Sequence, residues 1–381
     1  MERSIVHMDL DTFFVSCERL INSKFNDIPL IIGGGDRGVV ASCSYEARRF
    51  GVRSAMPIRM ALRLCPDAQI VKGDHEMYSK MSHLVTDIIQ QKVPLMEKAS
   101  IDEFYLDLSG MDKFFGCYKW TEEIALAIKK ETGLPISFAL SANKTVSKIG
   151  TGEAKPGKME IKLQEIKPFL DPLSIKKIPM VGDKTFQLLS RVGIRTIRTL
   201  SEMPVLVLQQ MIGQNGTELW KKANGIDENP VIPYSERKSI STERTFSSDT
   251  MDIHELKRLL SGMAEQLAYQ LRKEKWLTST VTVKIRYANF DTETKQSRVA
   301  YTSADHTLSR VALDLFNKAY TRRMRLRLVG LRFTGLVHGN HQMNLFEDTE
   351  EQMSLYQTMD HLKNRFGANA VGRASGFDFG K

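Results

Sequence analysis

Two short apolar runs that end on carboxylates constrain this chain more than any other feature. The first is Ser4-Ile-Val-His-Met-Asp9, continued by Leu10-Asp11. The second is Ala99-Ser-Ile-Asp-Glu-Phe-Tyr-Leu-Asp-Leu108. Runs of this length rich in Ile, Val, Phe and Tyr read as strands. A sheet that accepts both can bring Asp9 close to the adjacent pair Asp102 and Glu103. Ionised carboxylates gathered in low-dielectric surroundings are costly unless bound cations offset them. Carboxylate, water and phosphate oxygens suit Mg²⁺.

A two-metal site needs carboxylates from different segments, with ions roughly 3.5–4 Å apart. Asp9 and Asp102 are the candidates to bridge the two ions. Neighbours on a regular strand face opposite sides, so Asp102 and Glu103 both reach metal only at a hairpin turn or an irregular strand start, which is the expectation here. On spacing alone the pair reads equally as turn residues. Asp11 and Asp107 read as structural or solvated groups.

The chain has 381 residues, a length that predicts two to four domains, and its 42% hydrophobic and 26% charged content is that of a globular protein. No apolar run approaches the roughly 20 residues that span a bilayer, and Glu2-Arg3 followed by an acid-interrupted run does not read as a signal-peptide pattern. Cys17, Cys43, Cys65 and Cys117 lack metal-ligand spacing and read as reduced core residues, which predicts a cytoplasmic location with no membrane partner. The net charge of +9 is uneven: residues 235–335 hold 19 Lys and Arg against 11 Asp and Glu, whereas residues 336–381 hold 4 against 6. The basic stretch is either a phosphate-binding surface or a solvated face.

Strands are expected at Ser4 to Met8, Pro29 to Gly35, Gly38 to Ser44, Lys98 to Leu108 and Pro135 to Ser141, and helices at Thr12 to Leu20, Pro57 to Leu64, His75 to Gln91 and Trp120 to Thr132. The order strand, helix, hairpin, helix, strand predicts a ferredoxin-like split βαβ sheet with an insertion between Cys17 and Asp74. Ile178-Pro-Met-Val-Gly182 and Val192-Gly-Ile194 have the texture of a helix-hairpin-helix unit. Asn229 to Ser248 reads as a linker. Beyond it, Ile253 to Glu274 and Leu308 to Thr321 read as helices, and Thr278 to Tyr287, Ser297 to Thr302 and Arg325 to Gly335 as strands of a separate α+β unit.

Tyr45-Glu-Ala-Arg-Arg-Phe-Gly51 opens where an expected strand ends, which puts the Arg48 fork near a helix N-terminus, suited to bidentate phosphate contact. Lys155, just before Pro156, can add a point charge to the same phosphates. Taken singly, each of these residues reads as a surface group.

His7-Met-Asp-Leu-Asp-Thr-Phe-Phe14, Ser42-Cys-Ser-Tyr-Glu-Ala-Arg-Arg-Phe-Gly-Val52, Ser100-Ile-Asp-Glu-Phe-Tyr-Leu-Asp107 and Ala154-Lys-Pro156, in that order, resemble the motifs of Y-family DNA polymerases, in their DNA polymerase IV (DinB-like) branch. The resemblance covers nearly the whole chain. It implies that Asp9, Asp102, Glu103 and the carbonyl of Leu10 hold two Mg²⁺ ions, and that Ser42, Tyr45, Arg48 and Lys155 hold the incoming triphosphate. Phe13 and Phe14 would border the nucleotide, with Phe14 the steric gate that excludes a ribose 2′-OH. The fold implied is an α+β multidomain right hand. Residues 1–16 and 75–166 form its palm, 17–74 its small fingers and 167–232 its helix-hairpin-helix thumb. A linker at 233–240 leads to a little finger at 241–338 and a tail at 339–381.

The activity implied is template-directed addition of dNTPs to a primer 3′-hydroxyl across damaged templates, with low fidelity, by a monomer bound to primer-template DNA. In the tail, Gln342-Met-Asn-Leu-Phe-Glu347 resembles the peptide by which bacterial polymerases dock on the sliding clamp, with Leu345 and Phe346 as apolar anchors and Gln342 as polar contact. A loop packed on its own surface is the competing reading. Two departures from the pattern are Met180, where a glycine is common, and Cys43. A non-catalytic DNA-binding accessory protein of the same fold, or a two-metal nuclease, are the rival functions. The first would lack a carboxylate and the second would not need Phe14 or the triphosphate-binding run.

Overall fold

The computed structural model describes residues 3–35, 37–111, 116–339, 349–367 and 370–374. Gln342, Leu345 and Phe346 lie outside the described residues. The chain divides into two units, Met1–Ser235 and Glu236–Lys381. No described helix is long and apolar enough to cross a membrane.

The first unit is built on β1 (Ile5–Leu10), which pairs antiparallel with both β6 (Glu103–Asp107) and β7 (Ile136–Ser141). With β5 (Leu95–Lys98) and β8 (Lys158–Glu160) the sheet order is β5-β6-β1-β7-β8. That is the expected split βαβ arrangement with one added parallel strand. Strand parity sorts the side chains. Val6, Met8 and Leu10, with Phe104 and Leu106, bury against α1 (Phe13–Ile21), α4 (His75–Gln90) and α5 (Cys117–Thr132). The opposite parity, His7 and Asp9 beside Tyr105 and Glu103, turns toward α6 (Lys144–Ala154), whose Ser147 and Thr151 hydroxyls donate to the carbonyls of Ile5 and His7.

Between Cys17 and Asp74, β2 (Leu30–Ile32), β3 (Ser42–Cys43) and β4 (Gln69–Val71) form a three-stranded sheet in the order β3-β2-β4. It packs with α2 (Tyr45–Arg49) and α3 (Ile58–Leu64) around Ile31, Val40, Cys43, Ala47 and Ile58. The strand expected over Gly38 to Ser44 is confined to Ser42–Cys43. Any side chain at Gly38 would collide with the Gly34 carbonyl, and Val39 makes only an isolated bridge to Pro57.

The helices α7 (Ile166–Leu170), α8 (Asp183–Arg191), α9 (Ile197–Ser201), α10 (Val205–Ile212) and α11 (Gln214–Ala223) share one apolar cluster with Val146 and Ile149 of α6. The 167–232 segment is therefore anchored on the sheet-bearing part and has no isolated core. In its first hairpin Met180 is 64% exposed and takes φ 84, a left-handed conformation that costs any residue but glycine.

In the second unit β9 (Ser239–Thr250), α12 (Ile253–Lys273), β10 (Trp276–Tyr287), β11 (Thr292–Thr302), α13 (Asp305–Ala319) and β12 (Leu326–His338) build an antiparallel sheet in the order β11-β10-β12-β9. Val281, Val283 and Ile285 with Val329 and Leu331 bury against α12 and α13. One expectation is corrected here. Asn229 to Ser248 is not all linker, because β9 starts at Ser239: its Ser and Thr residues satisfy their backbone on β12. The acidic tail also contains a helix, α14 (Thr349–Phe366). Its Lys363 donates to Glu265 at 2.7 Å, and its Asp360 takes a two-pronged pair from Arg272, which also binds Asp305 at 2.6 Å.

Candidate active site

The strand expected over Lys98 to Leu108 is broken, and the break shapes the site. The Ser100 hydroxyl accepts from the backbone N–H groups of Asp102 at 3.2 Å and Glu103 at 3.0 Å, folding residues 99–102 into the turn between β5 and β6. Asp102 lies in that turn and Glu103 is the first strand residue, opposite Asp9 in register. The alternation that would have placed the two acids on opposite faces is interrupted between them.

One cavity of about 360 Å³ is lined by Asp9, Leu10, Phe13, Phe14, Ser42, Arg48, Asp102 and Lys155, along with Thr12, Ala41 and Ser54. Eight of the residues singled out from sequence therefore meet at one place, carried by β1, α1, β3, α2, the Asp102 turn and the end of α6. Tyr45 and Glu103 do not line it. Tyr45 stands behind Arg48, its ring 5.3 Å from the guanidinium carbon, and its hydroxyl lies 3.5 Å from Asp11. Burial is the main cause that pushes the Tyr45 hydroxyl up to about 12, with Asp11 next. Phe13 is 3% exposed and belongs to the core on its other side. Phe14 is stacked on Tyr78 with ring centres 4.2 Å apart and planes within 13°. The Tyr78 hydroxyl is tied in turn to Glu18 at 2.5 Å. The Phe14 ring is thus backed by a fixed partner.

Glu103 is turned from the cavity onto Lys148, whose Nζ lies 2.6 Å from Oε2. His7 lies 3.9 Å from its other oxygen, and burial holds the imidazole well below its usual value. Asp9 accepts from Lys155 Nζ, which also donates to the Leu10 carbonyl at 3.2 Å. Burial raises the Asp9 carboxyl to about 6 in spite of Lys155, and the nearby Asp102 and Glu103 push the same way. Asp11 is the structural acid: it is 5% exposed and accepts from the Ser137 hydroxyl at 2.8 and 2.9 Å.

The expected convergence of all three acids is only partly present. Among the described residues no three His, Cys, Asp or Glu side chains stand close enough to hold a metal ion. The cause is electrostatic: Lys155 draws Asp9 and Lys148 draws Glu103, while Asp102 bonds to Ser100. The donors nonetheless fit Mg²⁺. A carboxylate oxygen and a backbone carbonyl, both hard, already share one cation in the Lys155 ammonium, and a second carboxylate lines the same space. Lys148 and Ser100 were the functional neighbours that sequence reading missed. The available signal was Lys144 and Lys148, four residues apart on one face of a helix.

Comparison with known proteins identifies relatives of the chain. Residues 8–152 match the impB/mucB/samB family, and residues 237–345 match the impB/mucB/samB family C-terminal domain. The chain is 35% identical over 375 residues to a protein of Dehalococcoides mccartyi named DNA polymerase IV, covering 97% of this chain and 96% of the relative. It is 35% identical over 369 residues to a DNA polymerase IV of Treponema denticola, covering 96% and 91%. Among solved structures, a Y-family DNA polymerase chimera superposes with a TM-score of 0.79, and DinB from Sulfolobus solfataricus with 0.61. Each is 24% identical, and the match covers 88% of this chain and all of theirs, a likeness of fold.

Proposed function

Because this chain belongs to the impB/mucB/samB family, in the DNA polymerase IV branch of the Y-family DNA polymerases, it is a DNA-directed DNA polymerase, and we propose that it extends primers across damaged templates by two-metal nucleotidyl transfer with low fidelity. One observation carries the reading: a single cavity gathers two carboxylates, a guanidinium, an ammonium, three hydroxyls and two aromatic rings from segments up to 146 residues apart. That set matches the parts of a dNTP. Arg48, Lys155 and Ser42 grip the triphosphate, with Tyr45 steadying Arg48 from behind. Asp9, Asp102 and the Leu10 carbonyl are the oxygens offered to Mg²⁺, and Glu103 would join them on leaving Lys148. Bound there, two Mg²⁺ ions would acidify the primer 3′-hydroxyl and balance charge on the leaving pyrophosphate. Phe13 and Phe14 border the sugar.

In this reading residues 1–16 with 75–166 are the palm, 17–74 the fingers and 167–232 the thumb. The second unit is a little finger that grips DNA. Thr282 pairs with Arg332, and Lys284 and Arg286 lie two and four residues further along β10, on the face turned from the helices. Contacts of that kind hold phosphates without reading sequence. The protein would act as a cytoplasmic monomer on primer-template DNA, tethered to the sliding clamp through Gln342, Leu345 and Phe346. Primer extension with an end-labelled primer tests the activity. A lengthened product supports it, a shortened one supports a nuclease, and an unchanged one supports an accessory protein.

The gate has its own expected result. Phe14→Ala should raise ribonucleotide incorporation relative to deoxynucleotide by roughly 10²-fold, the order expected when a steric clash worth a few kcal/mol is removed. Competition between dNTP and rNTP in extension reads the ratio. Unchanged sugar selectivity would take the role from Phe14.

A further inference from the structure

We propose that Lys155 is a resident counter-cation of the active site, whose ammonium fills the angle between Asp9 and the Leu10 carbonyl until a nucleotide draws it away. The proposal rests on the reading above that these two oxygens receive a divalent ion. Three oxygens surround the ammonium: those of Asp9 and Leu10, and Asp11 at 3.9 Å. The Lys155 and Asp9 side chains are only 18% and 19% exposed, so little water competes for either charge. Lys148 of α6 does the same for Glu103, seven residues before Lys155, which follows the helix's last residue. A carboxylate partly out of water is destabilising when unpaired. The lysines therefore keep the acids satisfied while no metal is bound, and they account for why these acids do not already form a closed metal-binding group.

The arrangement makes Lys155 a positioning residue with two partners. A divalent ion arriving alone must displace the ammonium from Asp9, which leaves it only the more distant Asp11 at 3.9 Å. If a triphosphate arrives too, the ammonium moves from Asp9 to phosphate oxygen, and the vacated carboxylate and carbonyl oxygens face the ion. Binding of the two is coupled, and by thermodynamic necessity each strengthens the other by the same factor. The lysine thereby admits metal with substrate in preference to metal alone.

The test is Mn²⁺ binding to the full chain without DNA or nucleotide, read from the paramagnetic resonance of the free ion. Lys155→Met and Lys155→Gln, both uncharged, should bind Mn²⁺ roughly tenfold or more tighter than the native protein, the scale of one charged hydrogen bond removed from competition. Lys155→Arg, which keeps the charge, should remain near the native affinity. Equal or weaker binding in the neutral variants overturns the proposal. Equal tightening in all three variants also overturns it, because bulk and not charge would then be responsible. Asp9→Asn serves as the control on the site itself. It should lose Mn²⁺ binding, and if it does not, the assignment of Asp9 as a metal ligand fails together with what rests on it.

Discussion

Replacing Asp102 with alanine should lower primer extension by at least roughly a thousandfold and leave affinity for primer-template DNA within a few-fold of native. The expected loss follows from the several kcal/mol of charge stabilisation that a metal-holding group supplies, at 1.36 kcal/mol for each factor of ten. The structure makes the substitution a clean one. Asp102 sits in a turn, part-buried, and among the described residues its side chain bonds only to the Ser100 hydroxyl. The turn itself is held by Ser100 accepting from two backbone N–H groups, which the alanine leaves in place. Single-turnover extension alongside fluorescence anisotropy on labelled DNA separates chemistry from grip. Extension within tenfold of native would remove Asp102 from the site. Lost DNA binding would show that the turn had collapsed.

Lys363→Ala should destabilise the second unit by about 3–5 kcal/mol, the range for leaving one member of a buried ion pair without its partner. Lys363 and Glu265 are 4% and 7% exposed, and apart from Lys363 the Glu265 carboxylate is held only by the backbone N–H of Arg373 at 3.1 Å among the described residues. For a unit of this size the loss corresponds to a fall in Tm of roughly 10 °C or more, measurable by calorimetry. A shift under 2 °C would mean that α14 adds little to the unit. Glu265→Gln in the same background should recover part of the loss, because it removes the stranded charge.

The same contacts decide how the clamp proposal must be tested. Removing everything after residue 339 would also strip α14 from α12 and α13, exposing Arg272, Asp305 and Glu265. Leu345→Ala with Phe346→Ala avoids that damage. Processive synthesis with the clamp should fall at least roughly tenfold in the double variant, while synthesis without it stays unchanged. Equal processivity would reject the assignment.

Elements with a clean apolar period were legible from residues alone. His75–Gln90 and Ile253–Lys273 each put a continuous apolar face on a sheet, and Ile5–Leu10 and Ile136–Ser141 are strands buried on both sides. Elements whose ends are set by side-chain hydrogen bonds or ion pairs were not. The turn at Asp102 and Glu103 was expected, but the Ser100 hydroxyl that holds it was not, and β9 is a polar edge strand with the composition of a linker. The face of α14 that docks includes Lys363, a residue type that is almost never buried unless paired, so its pattern reads as surface.

The order of residues along the chain determined which groups would carry the chemistry and which elements would bear them, because strand parity and helical period are local properties of a few neighbouring side chains. It also set the acids and the phosphate-binding groups in motifs whose resemblance names the family. Which cation faces which acid was decided only by the tertiary structure. Lys155 reaches Asp9 across 146 positions and Lys148 reaches Glu103 across 45, and these pairings exist because α6 is laid against the sheet face that carries both acids. Coulomb forces act through space at a few ångströms, and sequence separation does not encode that distance.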